Sequence, residues 1–328
     1  MKRRDALILP LASVVSWAAR SAQAQHAVKI ARVGRLSPIS SATDERVFEG
    51  FRRGLRDLGW VEGANVTFEY RFAEGRLDRL PALARELVRL RVDLIVARAI
   101  PGALAAKTAT TTIPIVIVTT GDPVTSGLVA SFARPGGNIT GVTALIEALS
   151  AKRLELLKEV VPGVARVGIL TTPAYPAGGR LQRELDEAAR ALGLQLRMLQ
   201  ILDPGEFEQA FATMSREGVG ALMVGPDPMF NTHRIRLVEL AAKRQLPTMY
   251  GLREFVEVGG LMFYGASLPQ MYVHAATFAD KILKGASPGA LPVEQPTKFE
   301  LVINLQSARA LGLTISPALL VRSDEVIK

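Results

Sequence analysis

The sequence predicts an α/β protein of two doubly wound lobes, each a parallel sheet covered by helices, with the chain crossing a hinge more than once. Three observations carry this. Short apolar runs alternate with amphipathic segments along the body of the chain, the pattern of strands joined by right-handed helical crossovers. That rhythm runs once and then restarts near residues 141–150. The length of 328 residues exceeds what one hydrophobic core usually supports and is ample for two.

Residues 28–33 read as a first strand ending at Gly34. Val47, Phe48, Phe51, Leu55 and Leu58 then share one helical face, closed by Gly59. Residues 65–72 alternate Val66, Phe68, Tyr70 and Phe72, a strand with one buried face. Leu80, Leu83, Leu87 and Leu90 line a helix. Residues 93–97 and 114–118 are continuous apolar runs, as parallel strands covered on both faces require. Helices are predicted over 103–109 and 124–132, and a strand over 138–143. In the second series Leu154, Leu157 and Val160 mark a helix, and residues 166–170 a buried strand. A helix face of Leu181, Leu185, Ala188 and Leu192 stops at Gly193. Strands follow over 194–198, 221–224, 247–250 and 261–264, with helices around Phe207–Met214 and over 235–242. A long helix over 268–283, a Gly- and Pro-rich loop over 284–296, a strand over 299–303 and a helix over 305–311 close the chain. The division is therefore a leader over 1–24, an N-terminal lobe over 25–143 and a C-terminal lobe over 144–264. Residues 265–328 are returning segments that complete both lobes and the hinge.

The N-terminus reads as a cleaved export signal directing the chain to the periplasm. Lys2-Arg3-Arg4 is a basic start, residues 6–17 are apolar but too short to span a membrane, and Ala22-Gln23-Ala24 is a small-x-small cleavage site. The Arg3-Arg4 pair points to twin-arginine export, although Asp5-Ala6 stand where a bulkier apolar pair is usual. The chain has no cysteine, which excludes disulfides, thiolate metal sites, a cysteine nucleophile and a lipoprotein anchor. Of the net charge of +9, the leader carries +3, leaving +6. The excess is dispersed: Arg52, Arg53 and Arg56 sit among Glu49 and Asp57, the pattern of a solvated helix face. A nucleic-acid surface needs clustered cations interleaved with aromatics, and aromatics are only 6%.

In open α/β sheets ligands bind beyond the carboxyl ends of the strands. That rule selects Ser37, Arg98, Thr120, Asp122, Thr171 and Asp227, with Tyr250 and Tyr264 ending two further strands. The hydroxyls of Ser37, Thr120 and Thr171 suit a ligand carboxylate or, equally, a helix cap. Arg98 suits a ligand carboxylate or a surface pair. Asp122 either accepts from a ligand ammonium or caps a helix starting at Val124, and Asp227, between two prolines, either meets a ligand or shapes a turn. The tyrosines stack on an apolar ligand body or pack the hinge. Nothing points to catalysis. Metal-ligand spacing is absent around His233 and His274, and no nucleophile-elbow, Walker, zincin or dinucleotide motif occurs. The reading therefore has no metal, no cofactor and no enzymatic activity.

Several segments together resemble the ABC-transporter substrate-binding protein family related to tryptophan and tyrosine transport. They are the run from Phe51 to Gly63, the run from Asp78 to Ala84, Gly121-Asp122-Pro123-Val124 and the run from Ala133 to Gly141. The runs from Arg253 to Gly260 and from Pro292 to Asn304 complete them. The resemblance implies a type I periplasmic-binding fold with a ligand cleft between its lobes and no enzymatic activity. It favours Ser37, Asp122 and Thr143 as ligand-binding, followed by Tyr250 and Tyr264. The sequence departs from the family pattern at Arg98-Ala99-Ile100, where small or hydroxyl residues are usual. The function expected is capture of an amino acid or small organic acid by hinge closure for an inner-membrane ABC permease, by a monomer that binds no nucleic acid. The alternative is a periplasmic ligand sensor partnering a membrane signalling protein.

Overall fold

The computed structural model describes residues 30–172 and 178–328, so the leader read at 1–24 lies outside the described residues. The first half of the chain forms β1 (Ala31–Ser37), α1 (Ser41–Asp57), β2 (Val66–Phe72), α2 (Leu80–Arg89), β3 (Leu94–Arg98), α3 (Ala99–Ala109), β4 (Ile115–Thr119) and β5 (Ile139–Thr143). The second series is α4 (Ser150–Val160), β6 (Arg166–Thr171), α5 (Gly178–Leu192), β7 (Gln195–Gln200) and α6 (Phe207–Arg216). It continues through β8 (Ala221–Val224), α7 (Pro228–Thr232), α8 (Arg234–Lys243), β9 (Thr248–Tyr250) and β10 (Met262–Gly265). The returning segments are α9 (Leu268–Leu283), β11 (Val293–Glu294), β12 (Glu300–Asn304), α10 (Leu305–Ala310), α11 (Pro317–Arg322) and β13 (Glu325–Ile327).

The strands make two sheets, one per lobe. The first has the order β11-β5-β4-β3-β1-β2 and is parallel throughout. The second has the order β13-β12-β10-β9-β8-β6-β7, parallel except that β12 runs against β10. Read from β2 and from β7, both sheets repeat one winding. Each has a switch point, between β1 and β3 and between β6 and β8, where crossovers leave to opposite faces and open a crevice at the strand ends. The apolar runs of β3 and β4 are buried at every residue. Edge strand β7 instead alternates exposed Gln195 and Arg197 with half-buried Leu196 and Met198.

The returning segments divide between the lobes. Helix α9 lies on α1 in the first lobe, and β11 extends the first sheet, whereas β12 and β13 extend the second. The chain thus passes between lobes three times, over residues 144–149, 266–267 and 295–299. Two glycines on α1 permit the α1–α9 approach. A Cβ at Gly50 would lie 2.3 Å from the Pro269 carbonyl oxygen, and one at Gly54 2.8 Å from Ala276 Cβ.

Some expectations change. Residues 124–132 are turns, not a helix. Asp122 pins the Val124 and Thr125 amides, the Pro123 carbonyl takes both Leu128 and Val129 N–H groups, and Gly127 is left-handed. Strand β1 runs three residues past Gly34, and α3 starts at Ala99 rather than Ala103. The short elements α7, α11, β11 and β13 have no counterpart in the sequence prediction.

A bulkier side chain at Gly50 meets backbone that has no rotamer to yield. Gly50→Val is expected to cost about 1–3 kcal/mol of stability, read as a lower urea midpoint at unchanged slope. An unchanged midpoint would show that α9 does not press on α1 as described.

Candidate ligand-binding cleft

The carboxyl ends of strands from both sheets face one cleft. From the first lobe come Pro38 and Ile39 after β1, Arg98 and Ala99 at the end of β3, and Val118, Thr119 and Thr120 around the end of β4. From the second come Pro226, Asp227, Pro228 and Asn231 after β8, and Leu252 after β9, with Leu268 at the hinge end of α9. The empty space between these walls, open mouth included, is about 360 Å³. A second hollow of about 460 Å³, lined by Thr171, Thr172 and Arg153, adjoins it through the shared Pro226 and Asp227. Ala99 holds a left-handed φ of +57° at the cleft wall. An L-residue there is strained by roughly 1–3 kcal/mol, and such strain clusters at ligand sites.

Beneath the cleft lies a buried network of charges. Arg35, fully buried on β1, donates from Nε and Nη2 to the two carboxylate oxygens of Asp44 on α1, at 2.8 and 2.6 Å. Its guanidinium sits between the Phe48 and Tyr272 rings, 4.9 and 4.8 Å from their centroids, and also donates to the Tyr272 hydroxyl. Ser37 Oγ donates to the same carboxylate at 2.9 Å. Arg98 Nη1 joins it at 3.0 Å, while Arg98 Nη2 reaches Glu254 of the second lobe at 3.2 Å. Two arginines and two carboxylates thus cancel one another out of water, the condition under which buried charge is tolerated. Burial pushes the Asp44 carboxyl up, but Arg35 and Arg98 outweigh it and hold the group below its ordinary range. Burial likewise pushes the Tyr272 hydroxyl up to about 12, against the pull of the two arginines.

This two-lobed geometry has known relatives. Residues 32–327 match the model of the family described as ABC transporter substrate binding protein. The chain belongs to that family. It is 26% identical over 287 residues to a tyrosine-binding protein of Clostridioides difficile, covering 87% of this chain and 82% of the relative. It superposes with a TM-score of 0.83 on an ABC domain of Streptococcus pneumoniae solved with L-Trp, at 26% identity over 90% of this chain and 99% of that one. A conserved domain protein of Vibrio cholerae gives the same TM-score at 29% identity, covering 91% of this chain and all of the other. The family's role is to bind substrate, not to turn it over, and its solved members carry the type I periplasmic-binding fold found here.

The structure brings together only part of the residue set that the sequence singles out. Arg98, Thr120 and Asp227 line the main cleft, and Thr171 lines the adjoining hollow beside Asp227. Ser37 lies one layer deeper, holding Asp44. Thr143 is buried and donates to the Gly121 carbonyl at 2.7 Å, shaping the loop after β4. Asp122 uses both oxygens locally, on the Val124 and Thr125 amides and the Thr125 hydroxyl. It caps a turn instead of the expected helix. Tyr250 is buried and stacked on Phe255 at 4.6 Å, and Tyr264 lies against Phe299, its carbonyl taking Arg153 Nε at 2.7 Å. Neither ring lines the cleft. Sequence reasoning missed Arg35, Asp44, Glu254 and Asn231. For the first two a signal existed: opposite charges nine residues apart, one at the tip of an apolar strand and one opening the next helix.

Removing Asp44 strands the buried Arg35 guanidinium and leaves Arg98 with Glu254 alone. Asp44→Ala is expected to cost about 3–5 kcal/mol in guanidinium unfolding; a loss below about 1 kcal/mol would contradict the network. The depressed native carboxyl adds stability that is present above about pH 4 and is lost as pH falls through the native value. Asp44→Asn should therefore flatten the acid limb of the stability–pH curve.

Proposed function

We propose that this family member is the exported receptor of an ABC importer. It captures a small solute, an amino acid or small organic acid, between its lobes and presents it to an inner-membrane permease. The observation that carries the reading is the Arg98–Glu254 pair, which joins the lobes beneath a cleft whose walls come from both. In an open arrangement these groups part and the cleft admits solute. A solute touching both walls favours the closed arrangement by its differential contacts. The three crossings restrict how the lobes can swing, as a hinge of few absorbing segments does. A second interlobe pair among the described residues, Arg46–Glu257 at 3.1 Å, is solvent-exposed on the arginine side and contributes little. No helix among the described residues is long and apolar enough to cross a membrane. Delivery to the periplasm in this reading rests on the leader at 1–24.

A screen of amino acids and small organic acids by thermal unfolding tests the capture step. A solute at a hundred times its Kd adds about 2.7 kcal/mol, a rise of several degrees. No shift from either class would remove the receptor reading. The role of Glu254 is tested by small-angle scattering of the ligand-free protein. Glu254→Ala is expected to enlarge the radius of gyration, because Arg98 no longer ties the lobes. An unchanged radius would show that the pair does not hold them together.

A further inference from the structure

The cleft carries more information about its solute than its shape. Asn231 on α7 lines it with a side chain only 1% exposed, and neither Oδ1 nor Nδ2 has a hydrogen-bond partner. Such a group pays for lost hydration, a penalty removed by a ligand that brings both a donor and an acceptor. Asp227, the N-cap of α7, stands four residues earlier; its carbonyl takes the Asn231 N–H at 2.9 Å, and both residues line the cleft. The Asp227 carboxylate is 7% exposed. Its Oδ2 accepts from the Thr172 hydroxyl at 2.6 Å and its Oδ1 from the Met229 N–H at 2.7 Å. No lysine or arginine among the described residues forms an ion pair with it.

We propose that Asp227 and Asn231 form an ammonium-recognition site, so that the solute is an α-amino acid with an aliphatic side chain and not a simple organic acid. This rests on reading the cleft as the solute site. Charge balance supplies the selection. Arg98, the other charged residue lining the main cleft, is already shared between Asp44 and Glu254, which leaves Asp227 as the lining charge without an ion pair among the described residues. A plain carboxylic acid would add a second negative charge to poorly hydrated surroundings. A zwitterion adds none, bringing its own cation to Asp227. Its carboxylate then faces the opposite lobe, where Arg98 and Thr120 line the cleft and Thr119, accepting from the Gly121 N–H at 3.3 Å, keeps its own hydroxyl proton to donate. The apolar wall is Pro38, Ile39, Ala99, Pro226, Leu252 and Leu268. No aromatic ring among the described residues lines it, which distinguishes it from a site built to stack an indole or phenol.

The test is calorimetric titration of the purified chain with L-leucine, L-valine, L-tryptophan, 4-methylpentanoate, which is leucine without its ammonium, and 3-methylbutylamine, which is leucine without its carboxylate. Leucine or valine should bind, tryptophan more weakly, and 4-methylpentanoate at least a hundredfold more weakly than leucine. Asp227→Asn, which keeps an N-cap residue at the start of α7, should lower leucine affinity at least thirtyfold with an unchanged melting temperature. Asn231→Leu should lower it at least tenfold while keeping or raising the melting temperature. Tryptophan binding more tightly than leucine overturns the aliphatic assignment. Binding of 4-methylpentanoate as tight as leucine, or unchanged affinity in both variants, overturns the ammonium site. If none of the five binds but another solute raises the melting temperature, this assignment falls and the receptor reading stands. If no solute of any class does, both fall.

Discussion

The structure depends on a cancellation of charge under the cleft floor. Arg35 and Arg98 would each be prohibitively placed alone, since an ion removed from water without a partner costs several kcal/mol. Asp44 holds both, through three donors on one oxygen and one on the other. Because Asp44 opens α1, Arg35 lies on β1 and Arg98 ends β3, the network fixes the helix to the two strands that flank the switch point. Tyr272 brings α9 into the same cluster through its hydroxyl and its ring. The remaining arm of Arg98 is free to reach the other lobe, and Glu254 is where it lands. A contact between the lobes is thus anchored in the rigid core of one of them.

The rest of the architecture presents that anchor to a solute. Both lobes use the same winding, so each offers a crevice at its switch point, and the three crossings hold the two crevices face to face. Helix α9 is the critical returning element. It leaves the second sheet, passes the hinge and lies on α1 closely enough that Gly50 and Gly54 admit no side chain. That explains a glycine in the Phe51–Gly63 stretch through which the family resemblance is visible. The motif records a helix–helix contact, not a ligand contact.

Much of the fold was legible in the sequence because parallel strands covered on both faces leave unbroken apolar runs, as at β3 and β4. The restart near residue 150 was legible for the same reason. The helix expected over 124–132 failed because local hydrogen bonding from Asp122 and the left-handed Gly127 outcompeted a merely apolar composition. The site was less legible than the fold. The strand-end rule selected Arg98, Thr120, Thr171 and Asp227, which line the cleft or its adjoining hollow, since it needs only the order of elements. It could not separate cleft-facing residues from those one layer below, such as Ser37, and the resemblance could not do so for Thr143. Nor could it foresee that Tyr250 turns into the core to stack on Phe255. Asn231 and Glu254 carry no signal along the chain, because what marks them is burial and a partner, or the lack of one, supplied by distant segments.

The central claim is that one solute is gripped by both lobes at the switch-point crevices. Amide hydrogen exchange, followed by mass spectrometry with and without an equimolar mixture of the proteinogenic amino acids, addresses it whichever of them the cleft takes. The account predicts added protection in two places at once, around residues 98–102 of the first lobe and 226–232 of the second. Protection confined to one lobe, or to neither crevice, would contradict it.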